Sequence, residues 1–268
     1  MSFRDTYRAP KGKVNLSDIS PVPLKGICSR EEAEALLAKN TQRIKELQYN
    51  LYAEGKHSIL VVLQGMDTSG KDGTIRNVLG PINPQGCEIT SFKKPSDEEM
   101  AHDYLWRIHK AVPARGMIGV FNRSHYEDVL IVRVRNLVPK SVWSKRYDHI
   151  NQFERTLTDE GTVLVKCFLH IDKDEQKERL ESRLEDPTKH WKFNVGDLDE
   201  RKLWKDYVNA YEVALEKCDT QVAPWYVIPA NKKWFRNLVV SSLILETLEE
   251  LNPKTPAPED DLSRVVVK

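Results

Sequence analysis

Residues 58–74 read SILVVLQGMDTSGKDGT, an apolar run ending at Gly65, then a second glycine, Gly70, and a lysine, Lys71. This order constrains the fold more than any other feature of the chain. A short apolar run without alternation is the pattern of a strand buried on both faces, as in parallel sheets. The spacing G-x-x-x-x-G-K places a glycine-rich turn between that strand and a helix. Glycine permits the tight turn. Successive N–H groups then face inward and, with the helix N-terminus, bind phosphate oxygens. Lys71 reaches a terminal phosphate as a point charge. Gly65, Thr68, Ser69, Gly70 and Lys71 are therefore the expected phosphate contacts. An ordinary glycine-rich turn would carry a similar string; the strand before it favours the phosphate loop.

The loop departs from the usual form twice. Position 72 is Asp, where Ser or Thr normally touches Mg²⁺. Asp67 lies inside the loop, where a carboxylate repels phosphate unless a cation stands between them. Asp67 is therefore a candidate metal ligand, with Mg²⁺ expected and Mn²⁺ as the alternative. The competing reading makes Asp67 a turn residue bonded to its own backbone. Asp72 reads as a first-turn helix residue rather than a ligand.

Four more apolar runs follow, at Glu88–Phe92, Met117–Phe121, Val163–Ile171 and Trp225–Ile228. Helical patterns separate them, one starting near Lys71 and one after Ser96, which has capping-box spacing with Glu99. Others span Tyr126–Val134, Val142–Leu157, Asp174–Leu184, Glu200–Leu215 and Trp234–Leu251. Strands alternating with helices predict an α/β fold: a five-stranded parallel sheet covered on both faces, a three-layer sandwich. A chain of 268 residues fits one such domain over 1–268. Residues 1–28 are polar and Pro-bearing and read as an extended surface arm. A long helix then starts at Ser29, which has capping-box spacing with Glu32.

Net charge is +1, from 41 Lys+Arg against 40 Asp+Glu, so global charge gives no reason to expect nucleic acid or a membrane as partner. Cys28, Cys87, Cys167 and Cys218 are far apart and read as reduced thiols, neither disulfide frame nor zinc site. The N-terminus lacks an apolar stretch of signal-peptide type, and a cytoplasmic location is expected. All seven histidines are taken as structural; His102 and His109 are seven apart, not a metal-binding pair.

The third apolar run leads into Asn122-Arg123-Ser124-His125-Tyr126-Glu127-Asp128. Ligands of open α/β sheets sit at the carboxyl ends of strands, which puts this segment beside the phosphate loop. Arg123 can clamp phosphate bidentately. Glu127 and Asp128 can hold metal or orient a nucleotide, or can simply be helix-start carboxylates. Arg133 completes the expected nucleotide contacts. The stretch from Arg123 to Arg155 carries seven Arg+Lys against four Asp+Glu, a balance suited to polyanions.

Residues 172–205 hold nine Lys+Arg and ten Asp+Glu. Arg179 and Arg183 share a helix face, Pro187 ends the helix, and Lys189, Trp191 and Lys192 follow. The segment reads as a helical lid that excludes water and brings Arg183 and Lys192 onto phosphates, or as a solvated charged hairpin.

GMDTSGKDGT at 65–74, FNRSHYEDVL at 121–130, RLEDPTKHWKFNVGDLDERKLWKDY at 183–207 and APWYVIPANKKW at 223–234 together resemble the second polyphosphate kinase family. The resemblance runs from about Leu24 to Leu251. It implies a thymidylate-kinase-like P-loop fold with a helical lid. It also implies reversible, Mg²⁺-dependent phosphate transfer from inorganic polyphosphate to a nucleotide. Asp67 and Lys71 match the loop's metal-linked acid and phosphate lysine, Arg123 the arginine of the second motif, and Arg183 a lid arginine. Asn122 stands where many members have a metal-supporting Asp, which shifts the metal role toward Asp67 and Glu127. HYED resembles the class acting on both nucleoside mono- and diphosphates, implying AMP to ATP in two steps, with guanine nucleotides as a further option. Family members tend to form homo-oligomers, for which Trp143, Phe153 and the C-terminal apolar tail are the expected contacts. An ATP-dependent nucleoside monophosphate kinase and a non-catalytic nucleotide-binding protein remain the alternatives.

Overall fold

The computed structural model describes residues 2–24, 26–258 and 265. Five strands form one sheet: β1 (Ser58–Gln64), β2 (Cys87–Ser91), β3 (Ile118–Asn122), β4 (Thr162–His170) and β5 (Trp225–Pro229). Their order is β2-β3-β1-β4-β5, and every pairing is parallel. All seven residues of β1 are buried. A strand buried on both faces needs helices on both faces, so the sheet is the middle of three layers.

Twelve α-helices are described: α1 (Phe3–Tyr7), α2 (Arg30–Glu54), α3 (Lys71–Thr74), α4 (Asp97–Met100), α5 (Trp106–His109), α6 (Ile131–Val134), α7 (Lys140–Trp143), α8 (Arg146–Asp159), α9 (Lys173–Glu185), α10 (Gly196–Lys202), α11 (Trp204–Cys218) and α12 (Lys233–Leu251). Ser29 and Ser96 each form the expected capping box, with Glu32 and Glu99. α3 widens after one turn into a π-helix over Ile75–Leu79, a form often found at functional sites. No helix among the described residues is long and apolar enough to cross a membrane.

Three expected helices are broken. Leu130 (φ −103°, ψ −91°) separates a 3₁₀ turn at His125–Val129 from α6. Ser144 and Lys145 separate α7 from α8, and Leu203 separates α10 from α11. The segment before Ser29 is not extended throughout. The hydroxyl of Ser2 and the amides of Phe3 and Arg4 all donate to Glu246 on α12 (2.8, 2.7 and 3.0 Å). Ala9 N then donates to Trp225 O on β5 (2.8 Å), and Tyr7, Val14 and Leu16 are buried.

One expectation about self-association is corrected. Phe153 is a core residue, packed edge-on against His109 and His125. Trp143 is half-buried beneath the Arg133 guanidinium. Val265 is exposed, and the rest of the apolar tail lies outside the described residues. All four cysteines are free thiols.

Candidate active site

The loop Gly65–Lys71 leaves the carboxyl end of central β1, with β3 on one side and β4 on the other. This is the switch point at which open α/β sheets bind ligands. Gly65 (φ 151°) and Gly70 (φ 100°) take backbone angles that favour glycine. A Cβ on Gly65 would meet Leu169 O at 2.7 Å, and one on Gly70 would collide with the Arg236 guanidinium. Thr68 also sits in the left-handed region (φ 65°), at a cost of about 1–2 kcal/mol for a side-chain-bearing residue. The buried hydroxyls of Thr68 and Ser69 have no hydrogen-bond partner.

Lys71 is buried and bends back over the loop, donating to Gly65 O (2.8 Å) and Met66 O (3.3 Å). Burial, and then the nearby Arg123 charge, lower its pKa to about 8 against the pull of Asp67 and Glu127.

Arg123 follows β3 with φ 64°, a second strained non-glycine position beside the loop. The turn swings its guanidinium to Asp67 (Nη2–Oδ1 2.6 Å) and towards Glu127 (Nη1–Oε2 3.6 Å). Those two carboxylates, Glu127 first, hold the Arg123 charge in place and raise its pKa. Oriented to satisfy its neighbours, the Gln64 amide donates to Glu127 Oε1 (3.1 Å) and accepts from Ser124. Asn122 is a tether: its Nδ2 donates to Asp72 Oδ1 (2.7 Å), which occupies both residues.

Asp67, Thr68, Gly70, Lys71, Asp72, Asn122 and Arg123 border one cleft of ≈ 1120 Å³, while Glu127 stands behind Arg123 and does not line it. Eleven Lys and Arg side chains line it against six Asp and Glu, although the whole chain is balanced. Arg183 and Lys192 reach it from the 172–205 segment. Arg183 donates to Lys192 O (3.1 Å) and pairs loosely with Asp197 (3.5 Å), while Lys192 lies over the Trp191 ring. Trp191 is 79% exposed, so an indole faces solvent at the tip of that segment.

Asp128 and Arg133 are engaged elsewhere and do not line the cleft. Asp128 pairs with Arg146 (2.7 Å), and its burial outweighs that pair to raise its pKa to about 6. Arg133 donates to Tyr147 Oη (3.1 Å) and Asn209 Oδ1 (2.6 Å). The reason is local. The 3₁₀ turn at His125–Val129 points neighbouring side chains in different directions, so Glu127 faces Arg123 while Asp128 faces Arg146.

Among the described residues no three His, Cys, Asp or Glu side chains form a ready metal cage. A hard cation such as Mg²⁺ does not need one. It keeps several waters and binds through one or two carboxylates plus substrate phosphates. Asp67, at the mouth of the phosphate loop and 23% exposed, suits that role.

Sequence reasoning missed several contributors. Tyr211 accepts from Gly65 N (3.2 Å), Gln176 donates to Asp67 O (3.0 Å), and Arg236 fills the space that Gly70 and Gly73 leave open. Each comes from a distant helix, and nothing in its local pattern marks it.

A family model described as Polyphosphate kinase 2 (PPK2) matches residues 27–256. This chain belongs to the polyphosphate kinase 2 family. It is 52% identical over 265 residues to the AMP/ADP-polyphosphate phosphotransferase of Meiothermus ruber, covering 98% of this chain and 99% of that one. It is 47% identical over 240 residues to the ADP-polyphosphate phosphotransferase of Rhodopseudomonas palustris, covering 85% and 83%. The crystal structure of Polyphosphate Kinase 2 from Arthrobacter aurescens TC1 matches with a TM-score of 0.94 at 47% identity, over 97% of this chain and 94% of that one. The fold is thus the P-loop kinase type of that family, and the chain is a phosphotransferase.

Proposed function

We propose that this chain transfers phosphate from inorganic polyphosphate to AMP and ADP, yielding ADP and ATP, with Mg²⁺ or Mn²⁺ as the working cation. The observation that carries the reading is the cleft itself. Its lining is strongly cationic, with eleven Lys and Arg against six Asp and Glu, which favours a phosphate chain as donor. The names of the Meiothermus ruber and Rhodopseudomonas palustris relatives support the same donor and acceptors.

In this reading the loop amides, the Thr68 and Ser69 hydroxyls and Lys71 hold the phosphate chain. Arg123 leaves its carboxylate partners in part to clamp the phosphate in transit. Asp67, with Glu127 behind Arg123, places the cation, which offsets charge on the phosphate oxygens when bound. Arg183 and Lys192 close over the chain from a lid formed by 172–205, excluding water that would hydrolyse it. Asp128 and Arg133 reach a nucleotide only by leaving their present partners. No side chain lining the cleft selects adenine by its pattern alone, so guanine nucleotides stay within the proposal. A homo-oligomer also stays within it, on the support of the exposed Tyr49, Tyr52 and Ile89 rather than Phe153.

The test supplies AMP or ADP with polyphosphate and Mg²⁺ and omits ATP. Formation of the next higher nucleotide is expected. Turnover only when ATP is supplied would make the chain an ATP-dependent monophosphate kinase instead.

A further inference from the structure

Arg179 lies on α9 and borders the cleft, yet no N–H of its guanidinium is left for a phosphate. Asp172 caps α9 by accepting from Glu175 N (2.7 Å). Four-residue spacing then sets Glu175 beside Arg179, and Arg179 Nε donates to Glu175 Oε1 (2.7 Å). Nη1 donates to Thr68 O (2.8 Å) and Ser69 O (3.0 Å). Nη2 donates to Ala230 O (2.6 Å) and Asn231 O (3.1 Å). A guanidinium has five N–H donors, and all five are used.

The partners are backbone carbonyls of two segments, the phosphate loop after β1 and the loop after β5. In a trans peptide the carbonyl and the following N–H point in opposite directions. Holding Ser69 O on the guanidinium side therefore turns the Gly70 amide toward the cleft. Holding Thr68 O stabilises a residue kept in the left-handed region against its own preference. Arg236 cannot replace this grip. Its Nη1 reaches Ser69 O only at 3.4 Å, and its Nε and Nη2 are spent on Asn237 Oδ1.

We propose that Arg179 is a positioning residue for phosphate transfer: it fixes the carbonyl side of the phosphate loop and so sets the affinity for the phosphate chain without touching it. The inference rests on the polyphosphate-dependent reading above. Lysine cannot substitute, because an ammonium is a point charge with three donors and cannot bridge four carbonyls and a carboxylate.

The experiment first establishes polyphosphate-dependent ATP formation by the parent with ADP as acceptor; failure there would count against the proposed function, not this inference. Arg179→Lys, Arg179→Ala and Glu175→Gln are then compared. In folded Arg179→Lys the KM for polyphosphate should rise by at least about tenfold, as expected for several lost hydrogen bonds, while the KM for ADP stays within about twofold. Millimolar guanidinium should restore part of the activity of Arg179→Ala and leave the parent unchanged. Glu175→Gln separates positioning from simple charge. It removes a negative charge from the cleft lining, so a purely electrostatic role predicts a lower KM for polyphosphate. Positioning predicts a higher one, because the neutral amide holds Arg179 Nε by a weaker bond than the carboxylate does. A parent-like KM in Arg179→Lys, equal rises in both KM values, or a lower KM in Glu175→Gln would overturn the inference.

Discussion

The segment 121–128 feeds two clusters of opposite character. Arg123 turns to the cleft, with Glu127 paired behind it. Tyr126 and His125 turn inward to a sealed network around Lys166. There the lysine is fully buried and donates to Glu154 Oε2 (2.6 Å), Tyr126 Oη (2.9 Å) and Cys218 O (2.7 Å). Glu154 Oε1 in turn accepts from Tyr126 Oη (2.8 Å) and meets His125 Nε2 at 3.2 Å. Burial alone would raise the Glu154 pKa, yet Lys166 and His125 bring it below its ordinary value; burial lowers that of His125. Every donor of Lys166 has a partner, and loss of Glu154 would leave the Lys166 charge alone in the core. Arg123, by contrast, is 39% exposed, held at a strained backbone angle, and shared between two carboxylates. A sealed ion pair fixes the strand end in place, and an open one can trade a carboxylate for a phosphate. One short segment thus feeds both a sealed core network and an open pair at the cleft.

The largest expected effect breaks the sealed network. Glu154→Gln keeps the shape and strands the Lys166 charge, which should cost about 3–5 kcal/mol of stability. Chemical denaturation of the purified variant measures it. A normal unfolding midpoint with lost turnover would reverse the two roles. On the cleft side the pattern inverts. Asp67→Asn should leave stability within about 0.5 kcal/mol yet depress the rate strongly and raise the Mg²⁺ concentration needed. Activity and metal dependence equal to the parent would leave Asp67 a turn residue only.

The smallest effect sharpens the open cluster. AMP is one phosphate shorter than ADP, yet both acceptors must bring a terminal oxygen to the same in-line position. An acid such as Glu127 can order a cation or its waters in the gap, and an amide does so less well. Glu127→Asn should lower kcat/KM for AMP more than for ADP, by roughly threefold to tenfold in the ratio. Both constants are measured separately at saturating polyphosphate and Mg²⁺. An unchanged ratio removes Glu127 from acceptor choice.

Much of the fold was legible in the residues because its signals are local. The five apolar runs, the two capping boxes and the phosphate-loop spacing each depend on neighbours in sequence. The breaks at Leu130, at 144–145 and at Leu203 were not legible, since the apolar spacing continues across them. The cleft was legible in part, through Asp67, Lys71 and Arg123, which follow strand ends that the sheet brings together. Asp128 and Arg133 misled because closeness along the chain does not fix side-chain direction. Lys166 and Glu154 hid for the opposite reason. A charge in a strand or on a helix reads as solvent-facing until its partner from another element is seen. In the sequence Arg179 shows only as a helix-face neighbour of Arg183; that it turns to loop carbonyls depends on where β5 ends.

Lys71 carries the account's central claim, that the phosphate loop performs transfer directly from polyphosphate. The most direct measurement follows labelled phosphate from polyphosphate into ADP, without ATP, for the parent and Lys71→Ala at matched fractions folded. A group supplying charge to transferring oxygens is worth about 3–4 kcal/mol, so the variant should lose at least about a hundredfold in rate while its unfolding midpoint holds. Substantial label transfer by a folded Lys71→Ala protein would contradict it.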